Sequence, residues 1–269
     1  MNVFTAVAAR ERRHPTALRD AGAARRWATL TVVGVLWVFA AYGAMLGWGR
    51  VAPADFGADQ RFYVEVADRW LETGALYPGQ LDGAYQLQLM RDNTYPPNAL
   101  VLFVPFVLLP AILWWLVPAA IIGYGLWRWR PNAFGWALLA LVALWPRTVG
   151  AVLFGNTDLW MAALVTAGLL WGWPAVLLAV KPTLAPLALV GVGHRSWWLM
   201  AGLAAALVVA TLPLWLDYVS ALRNARGLGW DYSIGSLPLV LAPALAWLLR
   251  SGPSVGRDER ASEPGRLPV

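Results

Sequence analysis

The sequence predicts an all-α, polytopic membrane protein with about eight transmembrane helices (seven to nine) and a long first extracytoplasmic loop. Apolar residues make up 59% of the 269 residues and charged residues only 13%, unlike the composition of a water-soluble domain. Charge is also segregated, because the 123 residues from Thr94 to Leu216 contain only six charged side chains. A stretch of this kind belongs in lipid.

The two chain ends are predicted to be cytoplasmic. Residues 1–26 hold six arginines against two acids, directly before an apolar run over 27–47. Because Lys- and Arg-rich segments stay in the cytoplasm, this run is predicted to be a retained first transmembrane helix, and the polar loop 48–94 after it is extracytoplasmic. The tail 250–269, rich in Arg, Ser, Gly and Pro, is predicted to be disordered.

A short amphipathic helix is predicted inside the outer loop. Its apolar residues recur at a spacing of three or four: Phe62, Tyr63, Val66, Trp70 and Leu71. Asp59 is the expected N-cap and Gly74 the expected C-cap. Such a helix is expected to lie on the membrane surface.

The transmembrane domain is predicted to extend over 27–249. The 30 uncharged residues 98–127 are too long for one helix, so two short passes broken at Leu109-Pro110 are predicted. This arrangement puts Arg128 and Arg130 outside, against the positive-inside tendency, and one tilted span over 98–127 is the open alternative. Further spans are predicted at 132–154, 158–172, 174–192, 197–216 and 237–249.

Polar side chains within the apolar stretch are candidates for function, since a chain keeps them in lipid only where they are paired or used. Lys181, the only lysine, precedes Pro182 and is predicted either to snorkel beside a proline kink or to bind a lipid-borne phosphate. Arg147 is a second residue of this kind. Asn156 and Asp158 stand at a helix start, where they either cap the helix or contact a sugar.

The outer loop offers a general base. Asp55 and Asp59 precede the amphipathic helix, where apolar neighbours raise the pKa of a carboxyl toward a useful range, and helix capping is their alternative role. Phosphate-loop, dinucleotide-binding and zinc-protease motifs are missing from the sequence, so neither a cofactor nor a metal is expected. The arginines do not form one stripe, and nucleic acid is not an expected partner.

Five short motifs follow one another along the chain: Asp59-Gln60-Arg61-Phe62-Tyr63, Gly74-Ala75-Leu76-Tyr77, Thr94-Tyr95-Pro96-Pro97, Gly155-Asn156 and Val180-Lys181-Pro182-Thr183. Their order resembles that of the polytopic GT-C mannosyltransferases of glycosyltransferase family 87. The resemblance covers about residues 27–200 and implies a GT-C fold. Family members carry more spans beyond that point, so it also implies a chain shortened on its C-terminal side.

The resemblance implies an inverting transfer of mannose, or a related sugar, from a polyprenyl-phosphate donor to a lipid or glycan acceptor outside the cell membrane. Asp59 takes the role of base because it keeps the family's spacing to Tyr63, and Asp55 is the reserve. Tyr95 would shape a substrate entrance, Asn156 would lie near the sugar and Lys181 would meet the donor phosphate. The remaining predicted substrate-binding residues are Arg61, Tyr63, Arg147 and Asp158.

Two other classes stay open. A transporter would also keep buried Arg147, Asp158 and Lys181, although matched broken helices in inverted repeats are not visible in the sequence. A non-catalytic or degenerate scaffold subunit of an envelope-assembly complex, bound to a membrane partner subunit, fits the short C-terminal half. An enzyme requires Asp59 or Asp55 to face a cavity that contains Tyr95 and opens to lipid, whereas a scaffold does not.

Overall fold

The computed structural model describes residues 55–88, 91–227, 235 and 237–250, together with six helical positions between 31 and 45. The predicted N-terminus 1–26, most of the predicted first span and the tail after residue 250 lie outside the described residues. Within the described residues nearly all regular structure is helical, which confirms the helical class. The two strands there, β1 (Tyr85–Gln86) and β2 (Ala225–Arg226), have two residues each and pair in parallel.

Ten α-helices and three 3₁₀ helices follow one another in the described residues. The α-helices are α1 (Ala58–Thr73), α2 (Leu100–Phe103), α3 (Pro105–Leu108), α4 (Leu113–Trp129), α5 (Ala133–Leu144), α6 (Pro146–Phe154), α7 (Asp158–Trp171), α8 (Arg195–Ala210), α9 (Leu212–Asn224) and α10 (Leu237–Leu248). The 3₁₀ helices cover Pro97–Ala99, Trp173–Val180 and Pro182–Gly191.

None of the described helices is, by itself, long and apolar enough to cross a bilayer. Three pairs of neighbouring helices have the required length and composition when taken together, and each pair is bent by more than 40° at a short break. The pairs are Pro97–Leu108 with Leu113–Trp129, Ala133–Leu144 with Pro146–Phe154, and Arg195–Ala210 with Leu212–Asn224.

Helix α1 confirms the helix predicted in the outer loop, including its C-cap. Gly74 takes the left-handed conformation (φ 73°), and its N–H donates to the Trp70 carbonyl oxygen at 2.8 Å. The N-cap prediction is wrong, because Gly57 occupies that position and Asp59 lies in the first turn. One side of the helix packs on the rest of the protein, where the Tyr63 ring stacks on Phe103 at 4.8 Å.

The predicted helix break at Leu109-Pro110 is confirmed, since Leu109 is extended and the helices on either side differ in direction by 118°. The two predicted short passes over 98–127 are wrong, however. Helices α2 and α3 stay beside α1, while α4 begins next to α6, where the Trp114 indole N–H donates to the Gly155 carbonyl oxygen at 2.8 Å. Of these three helices, only α4 leads away from α1 and the end of α6.

Prolines also divide two predicted spans that the sequence suggested were continuous. The 132–154 span bends by 62° at Trp145, directly before Pro146. The 197–216 span bends by 79° at Thr211, two residues before Pro213, and then continues to Asn224. Proline lacks an N–H and clashes with the preceding turn, so the helix direction changes at these points.

The predicted 174–192 span is a hairpin rather than one helix. Two 3₁₀ helices pack along each other and meet at Lys181, whose backbone is extended (φ −114°, ψ 98°). Gly191 lies directly against the Gly172 carbonyl oxygen, so the hairpin begins and ends at the same end of the molecule. Eight residues at about 2.0 Å each put Lys181, at the tip, about 16 Å from this point.

The molecule has two distinct ends. At one end, Pro131 bridges to Arg250, the Tyr124 ring stacks on Trp171, and the His194 side chain lies against Gly172. We call it the basic end, after its exposed side chains Arg128, Arg130, His194, Arg195 and Arg250. The two-pass arrangement, which puts Arg128 and Arg130 on the side opposite the tail that begins at Arg250, therefore disagrees with the structure. The described chain makes five passes between the two ends, by α4, α5–α6, α7, α8–α9 and α10.

The opposite end, which we call the loop end, carries α1 and residues 75–96. Gln80 is buried there, and its side-chain amide N–H donates to the Asn93 carbonyl oxygen at 3.0 Å. Asn224, at the end of α9, donates from its side-chain amide to the Gln80 carbonyl oxygen at 3.0 Å. Together with the β1–β2 pair, these bonds hold the outer loop against the end of α9.

Gly155 is the tightest point of the chain between α6 and α7. Its φ is 71°, and a Cβ at this position would lie 2.8 Å from the Gln60 Cβ and 2.9 Å from the Trp115 ring. Gly74 has the same backbone conformation with nothing within 4 Å of a Cβ. We expect Gly155→Ala to lower the free energy of unfolding by about 2–4 kcal/mol, against about 1–2 kcal/mol for Gly74→Ala. Chemical denaturation of the purified variants measures both, and equal losses would contradict the close packing at Gly155.

Candidate functional site

Seven polar side chains from four separate segments form one cluster at the loop end. We call it the polar cluster; its members are Asp59, Tyr63, Tyr95, Asn156, Thr157, Asp158 and Lys181. Helix α1 supplies the first two, the chain before the Pro97–Ala99 turn supplies Tyr95, and the α6–α7 turn supplies the next three. The tip of the hairpin supplies Lys181.

Asn156 connects the outer loop to the helical bundle. Its side-chain amide N–H donates to Asp59 Oδ2 at 2.5 Å, while its Oδ1 accepts the backbone N–H of Asp158 at 3.1 Å. The second bond satisfies the N–H of the first residue of α7, although the N-cap of this helix is Thr157 and no side chain makes a cap hydrogen bond. Asn156 therefore fixes both the start of α7 and the carboxyl group of Asp59.

Hydroxyl groups extend the network from Asp59 across the cluster. Tyr63 Oη lies 3.4 Å from the Asn156 Nδ2 and 3.3 Å from Tyr95 Oη, which in turn lies 2.7 Å from Thr157 Oγ1. Thr157 is fully buried. Burial raises the pKa of both tyrosines above the ordinary value of 10.0, for Tyr63 well above it. Both phenols therefore remain protonated near neutral pH and keep an O–H to donate.

Lys181 and Asp158 form a buried ion pair within the cluster. Lys181 Nζ lies 2.5 Å from Asp158 Oδ1, and the side chains are 10% and 2% exposed. Burying either charge by itself would be costly, whereas a close pair offsets much of that cost. The ion pair therefore keeps the Lys181 ammonium group at the hairpin tip. The charge of this group affects the ionisation of Asp59 and Tyr95.

Asp59 has the environment of a group that exchanges protons. Burial raises the pKa of its carboxyl above the ordinary 3.8; the Asn156 hydrogen bond opposes this shift, Asp158 adds to it and Lys181 opposes it. Asp59 is 4% exposed, and its Oδ1 accepts no hydrogen bond from the described residues. A buried carboxyl oxygen in this state is costly unless a donor such as a ligand hydroxyl reaches it.

The structure brings six of the nine predicted site residues together: Asp59, Tyr63, Tyr95, Asn156, Asp158 and Lys181. Arg61 lies outside the polar cluster; it is exposed and donates from Nη1 to the Phe56 carbonyl oxygen at 2.6 Å. Arg147 also lies outside the cluster, exposed in the first turn of α6, about 12 Å along the helix from Gly155. Asp55 is half-buried, four residues before Asp59.

One member of the network, Thr157, and one contact, the ion pair between Lys181 and Asp158, escaped prediction. Thr157 gave no signal beyond its place between Asn156 and Asp158. The ion pair did give one, because Asp158 is the only acid between Thr94 and Leu216, and a charge in an apolar stretch is expected to have a partner there. Their separation of 23 residues hid the pairing, since it depends on the hairpin fold.

The chain matches no protein-family model, no curated protein and no solved structure. The described residues contain no group of three or more His, Asp or Glu side chains able to hold a metal ion. The site must therefore be interpreted from its own geometry and from the motifs that contribute to it.

The ion pair generates a prediction about stability. Lys181→Met leaves the buried Asp158 carboxylate without its ammonium partner, so we expect the free energy of unfolding to fall by about 3–5 kcal/mol. Lys181→Met combined with Asp158→Asn removes both charges and should recover much of that loss. Arg226→Gln, which removes an exposed cation, is the control and should change stability by no more than about 0.5 kcal/mol. Denaturation of the four proteins in one buffer tests this, and a double variant no more stable than Lys181→Met would contradict the coupling.

The raised pKa of Asp59 generates a prediction about pH. Folded Asp59 holds its proton more tightly than the unfolded chain, so its contribution to stability falls as pH rises from 3.8 through the raised pKa. Asp59→Asn cannot ionise, and its amide oxygen can still accept from Asn156. The unfolding free energy of the wild type minus that of Asp59→Asn should therefore decrease as pH increases over this range. Unfolding midpoints measured at several pH values test the slope, and a difference that stays constant or increases with pH would contradict the raised pKa.

Proposed function

We propose that this chain is a membrane glycosyltransferase of the GT-C type. It transfers a mannosyl or related residue from a polyprenyl-phosphate donor to a lipid or glycan acceptor of the cell envelope, with inversion. The observation that carries the proposal is the meeting of Asp59, from the outer loop, and Lys181, from the hairpin tip, in one buried cluster, where Asp59 Oδ1 accepts no hydrogen bond from the described residues.

Asp59 acts as the general base. Its carboxylate removes the proton from the acceptor hydroxyl, the hydroxyl oxygen attacks the anomeric carbon, and the bond from that carbon to the phosphate oxygen breaks. The bonding electrons leave with the polyprenyl phosphate, and the proton stays on Asp59 until solvent takes it. A carboxyl whose pKa is raised by burial is a stronger base at the moment of transfer.

Lys181 stabilises the leaving phosphate. A positive group already in place where negative charge develops lowers the barrier without a reorganisation cost. The ammonium carries three N–H donors, so it can contact a phosphate oxygen and Asp158 together. Asp158 thus acts as a positioning residue for Lys181. Because phosphate is a good leaving group, the scheme needs no general acid.

The polar groups around Asp59 suit a sugar. Asn156, Thr157 and the two tyrosine hydroxyls offer donors and acceptors within one region, and the Tyr63 and Phe103 rings are stacked beside them. Sugars are recognised by such combinations of hydroxyl partners and flat apolar surfaces. The same groups have no positive cluster for a nucleotide diphosphate, which agrees with a lipid-linked donor.

We further propose that the bundle spans the cell membrane, with the basic end cytoplasmic and the loop end outside. The bent helix pairs have the length and composition for this, and the arginines of the basic end follow the positive-inside tendency. Helix α7 has 14 residues, so the polar cluster lies about 21 Å from the basic end. In a hydrocarbon core of about 30 Å this corresponds to the outer third, within reach of a headgroup in the outer leaflet.

A scaffold subunit is the other candidate, and the state of Asp59 argues against it. A polar network with a purely structural role is expected to have all its buried groups satisfied, because an incomplete network costs more than an apolar core. Within the polar cluster, the oxygen proposed to meet substrate accepts no hydrogen bond from the described residues, a state that Asn98 Oδ1 and Thr148 Oγ1 share outside the cluster.

The decisive measurement is transfer of radiolabelled mannose from polyprenyl-phosphate mannose to endogenous acceptors in membranes that contain the full chain. Asp59→Asn should lower transfer by about 100-fold or more, since a general base contributes on that scale. Asp55→Asn should retain most activity, and Glu65→Gln, on the exposed side of the same helix, is the matched control with unchanged activity.

Protein levels in the same membranes separate loss of catalysis from loss of the protein. Full activity of Asp59→Asn would exclude Asp59 as the base. Absence of transfer by the wild type from polyprenyl-phosphate donors carrying mannose, glucose or galactose would overturn the enzyme proposal and favour the scaffold.

A further inference from the structure

The basic end presents a concentration of positive charge with no acid among the described residues near it. Its five basic side chains are all exposed and come from three parts of the chain: the end of α4, the turn before α8 and the residue at the bridge to Pro131. The nine acids of the described residues lie elsewhere, seven of them between 55 and 92. The other two are Asp158 in the polar cluster and Asp217 in α9, which reaches the loop end.

Exposed tryptophans surround these basic side chains. Trp127 and Trp198 are 65% and 62% exposed, and Trp171 and Trp173 are 46% and 41% exposed. The Arg250 guanidinium lies 4.4 Å from the ring centre of Trp247. Tryptophan rings at this density around arginines are typical of the level of lipid headgroups, where the ring is half in apolar and half in polar surroundings.

The side of the molecule next to the basic end is apolar and exposed. Helix α8 begins there with Arg195 and has no buried residue along its length. Leu199, Leu203 and Val209 on this helix are 78%, 64% and 73% exposed. A soluble acidic partner or a nucleic acid would match the arginines but not the uncovered apolar helix that continues from them.

We propose that the basic end is a binding surface for the headgroups of anionic phospholipids in the inner leaflet. Guanidinium groups such as those of Arg128 and Arg195 bind phosphate oxygens through paired N–H donors, and the surrounding tryptophans hold the adjoining glycerol and acyl region. The proposal depends on the membrane setting described above but not on glycosyl transfer. If the chain binds these lipids but has no transferase activity, this proposal stands and only the proposed function fails.

The experiment measures lipid binding by the purified full chain in a neutral detergent. Phosphatidylglycerol is titrated against the protein and adducts are counted by native mass spectrometry, with phosphatidylcholine as the uncharged comparison. We expect Arg128→Gln combined with Arg195→Gln to weaken phosphatidylglycerol binding by about tenfold or more and to leave phosphatidylcholine binding unchanged. Added salt should weaken binding to the wild type, because the attraction is screened.

The matched control removes two exposed arginines at the loop end, Arg91→Gln with Arg226→Gln, and should retain wild-type binding. Both double variants lose the same net charge, so a difference between them depends on position alone. Unfolding midpoints recorded without lipid ensure that the compared variants are folded. Equal loss in both variants, equal wild-type affinity for the two lipids, or tighter binding of single-stranded RNA than of phosphatidylglycerol would overturn the proposal.

Discussion

The burial of three charged groups in an apolar molecule is the constraint on which the rest of the structure depends. Asp59, Asp158 and Lys181 are each less than a tenth exposed, and each would be costly without a partner. The ion pair serves two of them and Asn156 serves the third. These contacts require three distant segments to converge, and the chain meets that requirement with a left-handed glycine at position 155 and a hairpin whose tip is Lys181.

Aromatic stacking and hydrogen bonds together hold the outer loop in place around the polar cluster. Stacked rings fix α1 on α2, with Tyr63 contributing both a ring to the core and a hydroxyl to the cluster. The bonds of Gln80, Asn93 and Asn224 hold the remaining outer loop against α9. These apolar and polar attachments give Asp59 a defined position, which the base role proposed for it would require.

Sequence reasoning identified the helical class, the helix in the outer loop and most of the polar cluster, because apolar periodicity, cap residues and charges in apolar stretches are local signals. It failed where the outcome depends on tertiary contact. The Lys181 partner could not be derived from spacing, and the two arginines at positions 61 and 147 resembled site residues although the fold turns them outward. Pro146 and Pro213 were visible in the sequence, but whether a proline bends a helix gently or redirects it depends on the neighbours that accept the bend.

The hairpin over 173–191 changes the number of crossings that should be counted from the apolar segments of the sequence. A segment that returns to the end from which it started adds no crossing, so counting it as one reverses the parity of every later segment. Helices α2 and α3 have the same effect earlier in the chain. Two such errors compensate at the C-terminus but place the intervening turns at the wrong end of the molecule, whereas Asn156, in the turn after Gly155, donates to Asp59 at the loop end. Two chains with identical apolar runs can therefore share the location of both termini and still place an internal region on opposite sides.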